Sequence, residues 1–295
     1  MAEKIVAENS MAGNMPAGTK LDQKPIVVVK IGGSIASNPG FIAKDIAALQ
    51  SKYSIVIVHG GSAQINSLCK KLGITPQFLT SPGGFKSRYT NQKVIEVFVL
   101  ALAGEVSANV VLALQKEGIN AVGLSGFDGK LTLARQKVVT SVDESGKQKI
   151  IRDDYTGKIE KINGSLLHTL LSQGYAPVVA ALAMGEACQP LNVDGDRLAA
   201  MVGVELHADI FISLTDVDGY YKNFPNDLVQ TLNREELASA IENAGGGKAS
   251  GGMKKKLFAC AEALDGGVEE VIIGNGTVET PISKLLLGAG THCRK

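Results

Sequence analysis

"PIVVVKIGGS" (residues 25–34) is the stretch from which the rest of the chain is read. Ile26 to Val29 are four successive β-branched residues, the pattern of a strand buried on both faces. The run ends in Lys30 and then turns at Gly32 and Gly33. A lysine closing a core strand is either solvated, as most lysines are, or faces an anion together with the N–H groups of the glycine turn. Those alternatives are separated only by what recurs elsewhere.

The pattern recurs. "GFIAKDIAALQ" (40–50) has apolar positions at helical spacing, and "YSIVIVHGGS" (53–62) is a second apolar strand running into a double glycine. Further strands are expected at "YAPVVAALAM" (175–184), "ADIFISLTDVDG" (208–219) and "VEEVIIGN" (268–275), with helices at "GDRLAAMVGVEL" (195–206) and "KKKLFACAEALDGG" (254–267). Such alternation implies an α/β fold, a three-layer α/β/α sandwich around a mostly parallel central sheet. One excursion interrupts it: "KLTLARQKVV" (130–139) and "KIIRDD" (149–154), around "DESGKQ" (143–148), read as a β-hairpin. In parallel sheets ligands sit beyond the carboxyl ends of the strands, so the turns after Lys30, at Gly60 and Gly61, and at Asp216 are expected to face one crevice.

Size and charge exclude several classes of function. A chain of 295 residues can bury a full core, and 30 basic against 29 acidic residues give no field for nucleic acid. Cys69, Cys188, Cys260 and Cys293 lack CxxC spacing, and the four histidines lack paired spacing, so neither a disulfide framework nor a protein-bound metal cage is expected. A reducing cytoplasm fits best. The most apolar window, "VIEVFVLALAGEVSANVVLAL" (94–114), is broken by Glu96, Glu105 and Asn109 and is expected to be a buried helix, not a membrane span. Residues 1–23 have no signal-peptide core and are expected to be a disordered extension.

No GxxxxGK[ST] occurs and no GxGxxG follows the first strand, which removes the P-loop and the main support for a nicotinamide cofactor. Glycine turns and two lysine candidates, in "VVVKIGGS" and "GGMKKKL", suit phosphoryl transfer, where positioning and charge neutralisation do most of the chemistry.

Taken in order, Lys30 with Gly32-Gly33, "VHGGS" (58–62), "LNVDGDRLAA" (191–200), "LTDVDGYY" (214–221) and "GGMKKKL" (251–257) resemble the amino acid kinase family over residues 25–295. Within it the acetylglutamate kinase branch is most similar. "TSPGGFKSRYTN" (80–91), "GLSGFDGKL" (123–131) and "DDYTGKIEKIN" (153–163) look like the kinases that act on aminoadipate or glutamate attached to an acidic, LysW-type amino-group carrier protein. Asn91 departs from that pattern, which commonly has an acidic residue there.

The resemblance implies ATP with Mg²⁺ held mainly by its phosphates, a homodimer, and an amino-acid lobe (24–203) sharing one sheet with a nucleotide lobe (204–295). It also implies roles. Lys30 and Lys256 approach the transferred phosphoryl group from opposite lobes, with Asp196 holding both; Lys254 and Lys255 are rivals to Lys256. Gly60 and Gly61 let the backbone approach the substrate, Arg88 clamps its α-carboxylate, and Asn192 reads its amide. Gly32, Gly33, Asp216 and Asp218 lie on the nucleotide side. Bland alternatives stand beside these: a surface ion pair for Arg88, a helix cap for "NVDGD", plain turns for Asp216 and Asp218. The expected activity is ATP-dependent phosphorylation of a side-chain carboxylate to an acyl phosphate in lysine, and also arginine, biosynthesis. The alternatives are an acetylglutamate kinase and a non-catalytic amino-acid sensor on the same fold. Too few periodic apolar positions precede the first strand for the amphipathic helix of arginine-regulated hexamers.

Overall fold

The computed structural model describes residues 24–33, 35–80, 86–142, 148–244 and 250–295; the expectation for residues 1–23 lies outside these. Along the chain, β1 (Ile26–Ile31), α1 (Gly40–Leu49), β2 (Ser54–His59) and α2 (Ser62–Lys71) form the first two units. A short antiparallel pair follows, β3 (Phe78–Thr80) with β4 (Lys86–Arg88). Next, α3 (Gln92–Val99), a π-helical stretch (Leu100–Val106) and α4 (Ser107–Lys116) run together as one rod into β5 (Ala121–Leu124).

Then come β6 (Thr132–Gln136), β7 (Val139–Val142), β8 (Gln148–Ile151) and β9 (Gly157–Ile162). The chain returns to the main sheet through α5 (Gly164–Ser172) and β10 (Ala176–Ala180), with β11 (Leu182–Met184) and β12 (Pro190–Asn192) beyond it. It finishes with α6 (Gly195–Glu205), β13 (Ile210–Thr215), β14 (Thr231–Leu232), α7 (Arg234–Asn243), α8 (Ser250–Asp265), β15 (Glu270–Asn275), α9 (Pro281–Leu286) and β16 (Thr291–Arg294).

Eight strands make the central sheet in the order β14-β16-β15-β13-β1-β2-β10-β5, and every neighbouring pair is parallel except β15 with β16. The expected α/β sandwich is therefore the one observed. Strand β1 sits at the centre, and Val27, Val28 and Val29 are buried against neighbours on both sides, which is why the sequence there is continuous and not alternating. Where the order of strands reverses, beside β1, the ends of β1, β2 and β13 open a crevice.

The excursion is larger than a hairpin. Strands β7 and β8 do pair antiparallel as expected, with the turn residues 143–147 outside the described ones. The first part of the segment, however, belongs to β6, which joins a second sheet of order β12-β11-β6-β9. One apolar run thus serves two sheets, a long-range choice that local alternation does not encode.

The apolar window also departs from expectation. The rod spans Gln92–Lys116, long and apolar enough to match a membrane-crossing helix by length and composition. One face, with Ile95, Phe98, Leu102, Val106 and Leu114, is buried in the core, whereas Leu100 and Leu112 on the other are 59% and 67% exposed. It is a half-buried helix whose outer face carries these leucines among exposed Glu96, Glu105 and Asn109.

Candidate active site

At the end of β1, Lys30 is only 7% exposed and stands in register opposite Ser213 of β13. Its ammonium lies 3.0 Å from Oδ1 of Asp196. Lys256, in the second turn of α8 and 9% exposed, reaches the same oxygen at 2.9 Å. Ser213 Oγ donates to that oxygen at 3.1 Å and accepts from Lys256 Nζ at 3.2 Å. Two ammonium groups, one carboxylate and one hydroxyl thus form a buried cluster at the carboxyl ends of β1 and β13.

The electrostatics follow from burial and pairing. Burial alone would raise the Asp196 carboxyl pKa, but Lys30 and Lys256 outweigh it and hold it well below the ordinary carboxylate range. For Lys30, burial prevails over the attraction of Asp196 and the value is lowered. For Lys256 burial is outweighed by Asp196, and its value is raised. Asp196 also sits in the first turn of α6, where the helix dipole favours an anion.

Of the two readings of "NVDGD", both hold, on different residues. Asp194 is the helix cap, accepting from the backbone N–H groups of Asp196 at 3.0 Å and Arg197 at 3.1 Å, and this frees Asp196 for the lysines. Lys255 points elsewhere, 3.8 Å from Asp194. The lysine that meets Asp196 is therefore the third of the run.

A cleft of about 360 Å³ opens over the cluster. It brings together Lys30, Gly32 and Gly33 from the end of β1, Gly60 and Gly61 from the turn between β2 and α2, and Asp194, Asp196, Asp216, Lys255 and Lys256 from the facing elements. A Cβ on Gly32 would lie 2.7 Å from Lys30 Nζ, so glycine there makes room for the ammonium; Gly33 has φ +42°. Gly60 faces open space. Gly61 is required for packing: its φ is −178°, an extended value, and a Cβ would meet Leu102 and Val106 of the π-helical stretch at 2.7 and 2.8 Å.

Arg88 and Asn192 stand apart from that cleft but close to each other through Thr90. The Arg88 guanidinium lies 5.2 Å from the Phe78 ring centroid and donates through Nη2 to Asn66 Oδ1, while Nη1 is buried with no partner among the described residues. Asn192 Nδ2 donates to Thr90 Oγ1 at 3.5 Å. Asn91 caps α3 by accepting from Val94 N at 3.1 Å, a task that an asparagine performs as well as an acid. Asp218 lies outside the cleft, beside a separate depression of about 310 Å³, held by Asn275 Nδ2 at 2.9 Å. Ser213 is not singled out by the sequence. A small hydroxyl inside "FISLT" was the available signal for Ser213, but only the β1–β13 register shows what it faces.

The sequence profile of the amino acid kinase family matches residues 25–275. The chain belongs to the amino acid kinase family. Among its relatives, the LysW-aminoadipate kinase of Thermus thermophilus is 40% identical over 271 residues, covering 91% of this chain and all of that protein. The LysW-aminoadipate/LysW-glutamate kinase of Metallosphaera sedula is 35% identical, covering 90% of this chain and 99% of the relative. Similar solved structures include the N-acetylglutamate synthase of Neisseria gonorrhoeae complexed with coenzyme A and N-acetyl-glutamate (TM-score 0.72, 24% identity, 92% of this chain and 60% of that one). The carbamate kinase of Giardia lamblia bound to AMP-PNP is another (TM-score 0.65, 14% identity, 92% and 99%). At those identities the structures speak for the fold alone.

Proposed function

We propose that this amino acid kinase transfers the γ-phosphoryl group of ATP to the side-chain carboxylate of 2-aminoadipate carried on a LysW-type protein, with carrier-bound glutamate as an accompanying substrate. The observation that carries the reading is the pair of buried lysines sharing Asp196 beneath a glycine-lined cleft. The two relatives, named for aminoadipate and glutamate on LysW, support the substrate class.

The cleft fits a nucleoside triphosphate by its donor set: two ammonium groups, the backbone at Gly32-Gly33 and Gly60-Gly61, and the amino end of α2. Mg²⁺ belongs on the nucleotide's own oxygens, because Asp196 is already shared by two lysines. ATP supplies an activated phosphoryl group, and Mg²⁺ neutralises part of its charge. Lys30 and Lys256 do the rest. As the carboxylate oxygen bonds to the γ-phosphorus and the β–γ bridging bond breaks, its electron pair leaves with ADP, and the charge spread over the equatorial oxygens of the transferring group lies between two fixed cations that need no reorganisation. No proton is moved, since the nucleophile is a carboxylate and the leaving group a phosphate. Asp196 keeps both lysines charged and aimed, Arg88 takes the α-carboxylate through Nη1, and Asn192 reads the amide that links substrate to carrier. Asp216, at the cleft edge, and Asp218, beyond it, flank the nucleotide side.

The decisive assay gives the pure protein ATP with carrier-bound aminoadipate and, separately, with free acetylglutamate, and traps acyl phosphate with hydroxylamine. Product only from acetylglutamate would make it an acetylglutamate kinase; ligand binding without ATP turnover would make it a sensor. We place the reaction in lysine biosynthesis, and in arginine biosynthesis where glutamate is carried, in the cytoplasm. We expect a homodimer, and a mass measurement checks it; six subunits would contradict it.

A further inference from the structure

Between Arg88 and Asn192 lies a buried carboxylate that phosphoryl transfer does not use. Asp154 is 1% exposed. Its Oδ2 accepts from the backbone N–H of Thr90 at 3.0 Å and its Oδ1 from that of Thr156 at 2.8 Å, so each oxygen holds a different segment. Around it the backbone closes the same joint: Tyr155 N donates to Thr90 O at 2.7 Å, and Asn192 N donates to Tyr155 O at 2.8 Å. Thr156 forms a parallel bridge with Asn192. Thr90 in turn touches both substrate-facing residues, donating from Oγ1 to Arg88 O at 3.2 Å and accepting from Asn192 Nδ2 at 3.5 Å.

We infer that Asp154 is a positioning residue that presents Arg88 and Asn192 as one rigid unit to the substrate's α-carboxylate and amide. The inference rests on the proposed function for the identity of that substrate. A carboxylate is taken out of water at considerable cost, and a loop joint alone could be made by an asparagine or serine. Two N–H donors, one to each oxygen, need an acceptor on both sides at once, and among side chains of this length only an ionised carboxylate has it. Such charge-assisted bonds are also about twice as strong as neutral ones. Segments 88–90 and 190–192 are far apart in sequence and have no direct backbone hydrogen bond between them, so the 153–156 segment is their link.

In Asp154→Asn, the amide NH₂ must face either Thr90 N–H or Thr156 N–H, donor against donor. The expected result is a tenfold or greater rise in KM for carrier-bound aminoadipate, with kcat within threefold and KM for ATP within twofold. In an Arg88→Ala background the same change should cost at least threefold less than in the unsubstituted protein, because only the share that acts through Asn192 is left. Backbone hydrogen exchange should accelerate at residues 88–90 and at Leu191 and Asn192 and stay unchanged in β1 and β13. Should Asp154→Asn not accumulate as folded protein, Asp154→Ser, which keeps one acceptor, carries the same comparison. Equal losses in both backgrounds, a matching rise in KM for ATP, or exchange that accelerates equally in β1 would overturn the inference and leave Asp154 an ordinary structural acid. If the unsubstituted protein phosphorylates neither carrier-bound aminoadipate nor acetylglutamate, the functional reading falls, and hydrogen exchange still decides the coupling.

Discussion

Lys30 and Lys256 reach the same oxygen of Asp196, at 3.0 and 2.9 Å, from a central strand and from a helix 226 positions later in the chain (256 − 30). The two cations are thereby held at a fixed separation by a charge that neither can lose without exposing the other. A site built this way favours a species more negative than its ground state.

Lys30→Ala and Lys256→Ala should each lower kcat by about 10²- to 10³-fold, the usual cost of removing one preorganised charge from a transition state. Substrate KM should change far less. Lys255→Ala should stay within about threefold, because its ammonium leans on Asp194 and has no direct contact with Asp196. Steady-state kinetics on the three variants check the ranking; a larger loss in the Lys255 variant than in the Lys256 variant would reverse the assignment.

Ser213→Ala removes the hydroxyl that accepts from Lys256 and donates to Asp196. The expected loss in kcat is about 3- to 10-fold, the net worth of an ordinary hydrogen bond, because Lys256 and Asp196 still hold each other. A variant with unaltered kcat would show that Asp196 alone aims Lys256.

The legible part of this molecule is its main sheet, and the reason is visible at β1. A strand buried on both faces needs unbroken apolar residues, and a cleft at its end needs glycine, so "VVVKIGG" states both requirements locally. What was not legible depends on partners distant in sequence. Ser213 matters only through its register with Lys30, β6 joins a second sheet rather than the hairpin, and Gly61 is shaped by Leu102 and Val106. Asp154 resembles any loop acid until Thr90 and Thr156 are seen on its two oxygens.

Asp196→Asn should destabilise the fold by about 3–5 kcal/mol, because two buried ammonium groups lose their counter-charge. The pH dependence has a definite sign. The Asp196 carboxyl is depressed below its ordinary value of 3.8, so its stabilising contribution is fully present above that value and is lost as pH falls further, through its lower folded value. The difference in Tm between the unsubstituted protein and Asp196→Asn should therefore be flat down to roughly pH 5 and shrink only below about pH 4. Thermal melts across that range check it, and a difference that closes near neutral pH would contradict the assigned charge state.

Arg88→Lys should behave almost as badly as Arg88→Ala toward the amino-acid substrate. The guanidinium is oriented by Asn66 and Phe78 with Nη1 left unpartnered among the described residues, and an ammonium does not reproduce the planar fork. Each variant should raise KM by about 10- to 100-fold, as expected for a lost hydrogen bond between charged groups, with ATP affinity unchanged. An unchanged KM in the lysine variant would remove Arg88 from the carboxylate site.

An acidic carrier should be drawn to cations near Arg88. Lys86 and Lys93 flank it in sequence; Lys93 is exposed in the first turn of α3, and the Lys86 side chain lies outside the described residues. A second group stands on the Asp194 side of the cleft, where Lys137, its value lowered first by burial and then by Arg197, lies within the fields of Lys255 and Lys158. Steering by exposed charges acts on encounter more than on the final complex and fades as salt screens it, over a length of about 10 Å at 0.1 M. Lys86→Glu with Lys93→Glu should therefore lower kcat/KM for carrier-bound substrate at low ionic strength, and the deficit should shrink at high salt while KM for ATP holds. Lys158→Glu, at an exposed lysine of this second group, is the comparison. A salt-dependent deficit in Lys158→Glu alone would move the carrier to the Lys137 group, and a deficit equal at every salt concentration would show that the charges act inside the complex and not on approach.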